Sequence, residues 1–287
     1  MRYITYATKE EFLKDNLEIL LKEEAKNEIM IGIILEHENE SIKNWVLGRI
    51  EKDGEIKAIF LIEDERKGLL IYSIDEYISE EVAEYLVDNI LSANVDLKEV
   101  LTSKENSILI SNIYSKKSGK EMELYSNMYI MIFDKIEKEC LLAENEKIER
   151  LEKETIKRDV LKENIKEMYK DNFRGRECSE EEAEKVSEAF LRKGIYVLKN
   201  ENDEIVSQAV TVRKQIHCCA IGGVITLERY RGHGYAKRLV HTLSNNLLKE
   251  GYREVVLHVN SQNEPAISIY SKIGFNKIDE TAKIKFI

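Results

Sequence analysis

A chain of 287 residues is long for one domain and comfortable for two, each able to bury a core of its own. Hydrophobic residues at 43% and charged residues at 34% describe a soluble globular protein, not a disordered one. The formal charge of -10 argues against a duplex nucleic-acid partner, whose binding is driven by phosphate neutralisation with Lys and Arg. No apolar run approaches the roughly 18 residues of a membrane span, and the N-terminus lacks the apolar core of a signal peptide. The expected compartment is therefore the cytoplasm. Cys140 and Cys178 are isolated and Cys218 and Cys219 adjacent, so no metal-type Cys-x-x-Cys spacing exists and no metal is expected. All four read as reduced thiols.

In chain order, residues 2–6 alternate as a short strand, and Phe12, Leu13, Leu17, Leu20 and Leu21 mark a helix, with a second around 29–35. Three apolar runs follow at 45–50, 56–62 and 69–74. The first two are joined by the hairpin signal Lys52-Asp53-Gly54, the next two by the turn 64–68. A helix over 80–91, a strand near Val100, a helix over 104–115 and a strand over 122–133 complete a unit. The charged stretch 135–147 reads as the boundary, giving domains at 1–138 and 146–287.

The order then begins again. A strand at 148–151 precedes helices over 159–172 and 179–192, the latter opening on the capping-box pair Ser179 and Glu182. Strands follow at 195–198, 205–212 and 216–226. A helix runs from 234 to about 249, then come a strand at 253–259, a helix at 263–273 and a closing pair of strands. Two halves with one order of elements suggest a tandem of a single mixed α/β fold.

The chemistry sits near the end. An apolar strand through Gly222 and Gly223 leads into Arg231-Gly232-His233-Gly234-Tyr235-Ala236, and a helix follows whose stripe is Ala236, Leu239, Val240, Leu243 and Leu247. Such a junction turns backbone N–H groups toward one point where the helix dipole favours an anion. Arg231, Lys237 and Arg238 can add charge. The third glycine of a dinucleotide fingerprint is absent, as is the Gly-Lys-Ser/Thr ending of a P-loop. Alone, a Gly-x-Gly turn is more often a plain connection. Downstream, however, Asn263 is a natural N-cap, Pro265 fits a first turn, and Gly274-Phe275 ends the helix that carries Tyr270.

Together the Arg231-x-x-Gly234-x-Ala236 loop and the helix from Asn263 to Phe275 resemble the two motifs of the GCN5-related N-acetyltransferase (GNAT) superfamily. Ile-Gly-Gly-Val-x-Thr before the loop is similar to the branch holding glycine N-acyltransferase-like domains. The resemblance implies a mostly antiparallel twisted sheet flanked by helices, in two tandem copies with the first degenerate. It implies acetyl-CoA as co-substrate, bound by Val224, Ile225, Thr226, Arg231, Gly232, His233, Gly234, Tyr235, Ala236, Lys237 and Asn263. It also implies direct attack of an amine on the thioester, with Tyr270 as proton donor to sulfur; the competing reading of Tyr270 is a half-buried core residue with a satisfied hydroxyl. The strand is expected to bulge at Gly222 and Gly223 so that pantetheine lies beside it, with a backbone N–H near Val224 for the oxyanion. Glu228, His217 and His258 are candidates for the general base, and each also reads as an ordinary loop or strand residue. The first half shows no such loop and is acidic at 78–81, which suits a shaper of the acceptor pocket or an oligomer interface, as in a homodimer. The expected partners are an acyl-CoA and an amine acceptor, with no nucleic acid and no membrane. The rival expectation is a catalytically silent acyl-CoA-binding or sensor protein, and an unrelated nucleotide-binding enzyme ranks third.

Overall fold

The computed structural model describes residues 1–64, 68–136, 142–151, 158–172 and 177–287. Cys140, part of the 64–68 turn and part of the expected boundary lie outside the described residues. Two units divide the chain: 1–130 with 278–287, and 131–277.

The first unit opens with β1 (Arg2–Tyr6), α1 (Lys9–Leu20), α2 (Glu24–Glu36) and a short α3 (Asn39–Ile42). Thr8 caps α1 by accepting from the Glu11 N–H, and acidic residues in the first turn complement the helix dipole. Then come β2 (Val46–Lys52), β3 (Glu55–Ile62) and β4 (Gly68–Ser73), α4 (Glu80–Ser92), β5 (Glu99–Ser103), α5 (Lys104–Ser118) and β6 (Met122–Phe133). β1 to β4 form an antiparallel meander. β4 and β5 are parallel, with α4 as the crossover such a pair requires. Apolar cores cover both faces. One gathers α4, α5 and inner strand residues such as Phe60 and Val100; the other gathers α1, α2 and Ile59 and Leu61.

The second unit repeats this order with β7 (Lys147–Leu151), α6 (Arg158–Asn172), α7 (Glu180–Lys193), β8 (Ile195–Lys199), β9 (Ile205–Lys214), β10 (Cys218–Thr226), α8 (Tyr235–Lys249), β11 (Glu254–Asn260) and α9 (Glu264–Lys272). β7 to β10 are again an antiparallel meander, and β10 and β11 are parallel across α8. The capping box on α7 forms in both directions between Ser179 and Glu182. The stripe on α8 buries Leu239, Val240, Leu243 and Leu247, as its spacing requires. Cys218 and Cys219 are buried in β10, and no disulfide joins the described cysteines.

One expectation fails. The chain closes on a single strand, β12 (Asn276–Phe286), not a pair. β12 pairs antiparallel with β5, from Thr281 opposite Ser103 to Lys285 opposite Glu99. Its Ala282, Ile284 and Phe286 are buried, and Phe286 meets Tyr114 at 4.6 Å in the first unit's core. In return 131–133, the end of β6, belong to the second unit, where Phe133 packs on Phe275 and His241. The first unit is thus finished by a strand from the far end of the sequence, and the second takes in only the last three residues of β6. A strand's alternation gives its faces but not its neighbour, so the sequence leaves this pairing open.

Candidate active site

β10 and β11 run parallel in register only from Cys218 opposite Glu254 to Ile221 opposite Leu257. Beyond that point β10 continues to Thr226 and β11 to Asn260, so a wedge opens between them. The cause lies on the other edge of β10. Against β9 its register shifts between Ala220 and Ile221 and again between Gly222 and Ile225. At the second shift Gly223 takes φ +55°, and a Cβ there would sit 2.9 Å from the Phe190 ring and 3.1 Å from Val210. Glycine is required both by the left-handed backbone and by the close approach of α7 and β9. Gly222, the other expected position, keeps an ordinary φ.

Past Thr226 the chain makes one 3-10 turn, Glu228–Tyr230, and enters α8 through Gly232 (φ +84°) and Gly234 (φ +74°). Gly234 is the N-cap, so no side chain closes the helix end, and the first turn carries no acidic residue. The first intrahelical bond runs from Arg238 N–H to the Gly234 carbonyl, which leaves the N–H groups of Tyr235, Ala236 and Lys237 without a protein partner among the described residues. Lys237 adds a cation at the same end.

Across the wedge, Asn263 caps α9 through its side chain, which accepts from the Ala266 N–H at 3.2 Å, and Pro265 occupies the first turn. Gly274 (φ +104°) ends the helix, and Phe275 N–H returns to the Tyr270 carbonyl at 3.0 Å. Tyr270 is 8% exposed, its ring packs against Phe275 at 5.9 Å, and among the described residues its hydroxyl has no hydrogen-bond partner. Burial pushes its phenol up to about 12.

These pieces surround a cavity of about 630 Å³. Of the expected donor-site residues, Val224, Ile225, Thr226, Arg231, Gly232, Gly234, Tyr235, Ala236, Lys237, Asn263 and Tyr270 all line it. His233 does not: its side chain is exposed and tilts on the Tyr235 ring at 5.7 Å. Arg238 is also turned away. It pairs with Glu146, donates to the His233 carbonyl at 2.8 Å, and lies over the Tyr235 ring. Burial is the largest single influence and raises the Glu146 carboxyl, but the Arg238 bond, the Ala143 N–H bond and the Arg238 charge together outweigh it and hold the group below the usual range. Arg231 reaches back, donating from Nε to the Thr226 carbonyl at 3.0 Å and from Nη2 to Glu167 at 2.8 Å. Tyr230, Asn260, Gln262, Pro265, Ala266 and Ile269 complete the lining and were not singled out as ligands by the sequence. Glu146 and Glu167 carry no motif at all, being acidic residues in charged stretches far from the loop in sequence.

The three base candidates stand apart from the cavity lining. Glu228 is exposed and His258 half-buried on β11. His217 precedes β10 at the closed end, where its carbonyl takes the Arg253 N–H at 2.7 Å. Among the described residues no group of three or more His, Cys, Asp or Glu is placed to hold a metal ion, and no helix is long and apolar enough to cross a membrane.

The corresponding place in the first unit is built differently. β4 keeps an unbroken register with β3 from Ala58 opposite Ser73 to Ile62 opposite Leu69. The Thr102 hydroxyl bridges β5 to β4 by donating to the Ile71 carbonyl at 2.7 Å. Ser79 closes the α4 end, and Glu80 and Glu81 fill its first turn. A stitched gap and a capped, acidic helix end suit no diphosphate.

Known proteins match this chain in part of its sequence and in its whole fold. Residues 200–284 match the family model described as FR47-like protein. The chain has the GNAT fold. A GCN5-related N-acetyltransferase from Sphaerobacter thermophilus aligns over 99% of this chain and 95% of its own, with 16% identity and a TM-score of 0.60. A Drosophila protein aligns over 99% and 98%, with 11% identity and a TM-score of 0.67. A tandem GNAT protein from the clavulanic acid biosynthesis pathway aligns over 99% and 98%, with 9% identity and a TM-score of 0.52. No curated protein matches the chain. The GNAT fold accounts for both halves: one order of strands and helices, twice, with the wedge kept open in the second.

Proposed function

We propose that the second unit transfers an acetyl or other short acyl group from acyl-CoA to a primary amine of a small molecule or peptide. The observation that carries this reading is the wedge between β10 and β11, which ends on an uncapped helix N-terminus at one side and the Tyr270 hydroxyl at the other. Pantetheine is a thin arm of amides, suited to lie along Val224, Ile225 and Thr226 as an added strand on the edge of β10 that faces the wedge. The diphosphate is placed at the N–H groups of Gly232, Gly234, Tyr235, Ala236 and Lys237, with the Lys237 ammonium beside it. Asn263 holds α9, and through it Tyr270, in place. The glycine-marked strand supports the glycine N-acyltransferase-like branch within the fold.

The reaction is direct. The neutral amine attacks the thioester carbon, the C–N bond forms, and charge on the carbonyl oxygen is met by a backbone N–H near Val224. The C–S bond then breaks, and the departing sulfur takes the phenolic proton of Tyr270. The nitrogen's surplus proton passes to water and resets the phenol, so no net proton is consumed. With the side-chain candidates off the cavity wall, a water chain is the base this site favours.

The test is calorimetric titration with acetyl-CoA, followed by a thiol-release assay over a panel of amino acids, polyamines and peptide N-termini. Micromolar binding and turnover with at least one amine are expected. Binding without turnover on any amine would favour the silent sensor instead. Gly234→Asp should abolish binding, since it puts a carboxylate where an anion belongs and a side chain at φ +74°; retained affinity would refute the site.

A further inference from the structure

The corner that precedes the open helix end is held by a single carboxylate on a different element. Glu167 Oε1, on α6, accepts the backbone N–H of Glu228 at 2.7 Å and the Arg231 guanidinium at 2.8 Å. One helical turn earlier, Glu163 takes Arg229 at 2.9 Å. Arg231 also donates to the Thr226 carbonyl, so its guanidinium ties the end of β10 to α6. Three successive parts of the corner, 226, 228 and 231, are thereby fixed before the two left-handed glycines that aim the α8 N–H groups at the cavity.

We infer that Glu167 is a positioning residue for the donor: it braces the diphosphate loop from α6, and Arg231 acts through that brace and not as the main counter-charge of the diphosphate. The inference rests on the acyl-CoA reading above. Its content is a sign. A carboxylate beside an anion site opposes the anion by Coulomb's law, so deleting Glu167 should tighten binding if charge were all that mattered. If the brace matters, deletion loosens the loop and weakens binding, because ordering its residues must then be met at the moment of association. α6 lies on the same side of the sheet as α7 and the β8–β9 core, so the brace also links the donor loop to a helix outside the donor cavity.

The experiment measures affinities of the full chain for acetyl-CoA and for acetyl-pantetheine, which lacks the diphosphate. Glu167→Ala is expected to weaken acetyl-CoA about tenfold, the equivalent of one hydrogen-bonded contact, while leaving acetyl-pantetheine within about twofold of wild type. Glu167→Gln keeps an acceptor for the Glu228 N–H and should recover most of the loss. Should Glu167→Ala lose cooperative unfolding, Glu228→Pro removes the partner N–H at the first position of the 3-10 turn, where proline is tolerated, and is expected to show the same selective loss. Unchanged or tighter acetyl-CoA binding overturns the assignment, as does equal weakening of both ligands. A wild-type chain that binds neither ligand would overturn the acyl-CoA reading itself, whereas wild-type binding with an indifferent Glu167→Ala removes only Glu167.

Discussion

Tyr270 combines near-complete burial with a hydroxyl that has no hydrogen-bond partner among the described residues, at the wall of a cavity. Its hydroxyl is not among the fully buried polar atoms left without a partner, so it opens onto the cavity, where a ligand can complete it. Tyr270→Phe should therefore leave stability level or slightly raised, keep acetyl-CoA affinity within about twofold, and lower kcat by roughly 10²-fold, in the range of a lost general acid. A phenylalanine variant with unchanged kcat would return Tyr270 to the core. The same burial sets a pH dependence. The folded phenol is pushed up to about 12, above its unfolded value near 10, and Tyr3 is raised likewise by burial. The unfolded chain thus ionises first. Stability is fully present below pH 10 and falls as pH rises from about 10 to 12. Unfolding free energies from urea titrations at pH 9 and 11 should show a drop of about 1.3 kcal/mol attributable to Tyr270, which Tyr270→Phe removes. The sequence shows Tyr270 at the right spacing after Asn263, but its burial and its lone hydroxyl are properties of the neighbours that surround it.

At the scale of elements, the wedge depends on one residue of β10. An L side chain at Gly223 must adopt a left-handed backbone, costing about 1–2 kcal/mol, and must also displace Phe190. Gly223→Ala should then cost about 2–3 kcal/mol in urea unfolding and weaken acetyl-CoA, because relaxation of the bulge brings β10 back toward β11. Two adjacent glycines in an apolar strand are legible as a distortion; which of them carries the positive φ is not, since that follows from Phe190 on a helix thirty residues earlier. The loop behaves the same way. Gly232 and Gly234 announce an anion site, yet whether each nearby arginine faces the anion is decided by Glu146 and Glu167, acidic residues with nothing in their own sequence to mark them. His233 illustrates the limit: it sits in the middle of the motif and points outward.

For the whole molecule the informative residue is Phe286. It is the penultimate residue in sequence, but it packs on Tyr114 in the core of the first unit. Trp45, the one tryptophan, belongs to that unit too, so its fluorescence reports when the unit unfolds. Phe286→Ala should shift the Trp45 transition by about 3–4 kcal/mol, the cost of emptying a buried aromatic site. An unmoved transition would mean that β12 stabilises the second half alone. The first unit's stitched gap and acidic helix end leave it without a diphosphate site of its own, in keeping with the proposal of a degenerate copy.

Local chemistry, then, was written in the sequence: the periodicity that makes each strand and helix, the caps at Ser179 and Asn263, the repeated order of elements, and the two motifs that mark the cavity. These depend on neighbours within a few residues along the chain. Tertiary structure alone decided which strand closes which sheet, which glycine bends β10, which arginines are already paired, and that Tyr270 stands buried and unpartnered. Those outcomes are set by contacts between residues far apart in sequence, where a pleated edge or a charged side chain has several partners of equal chemistry and only packing selects among them.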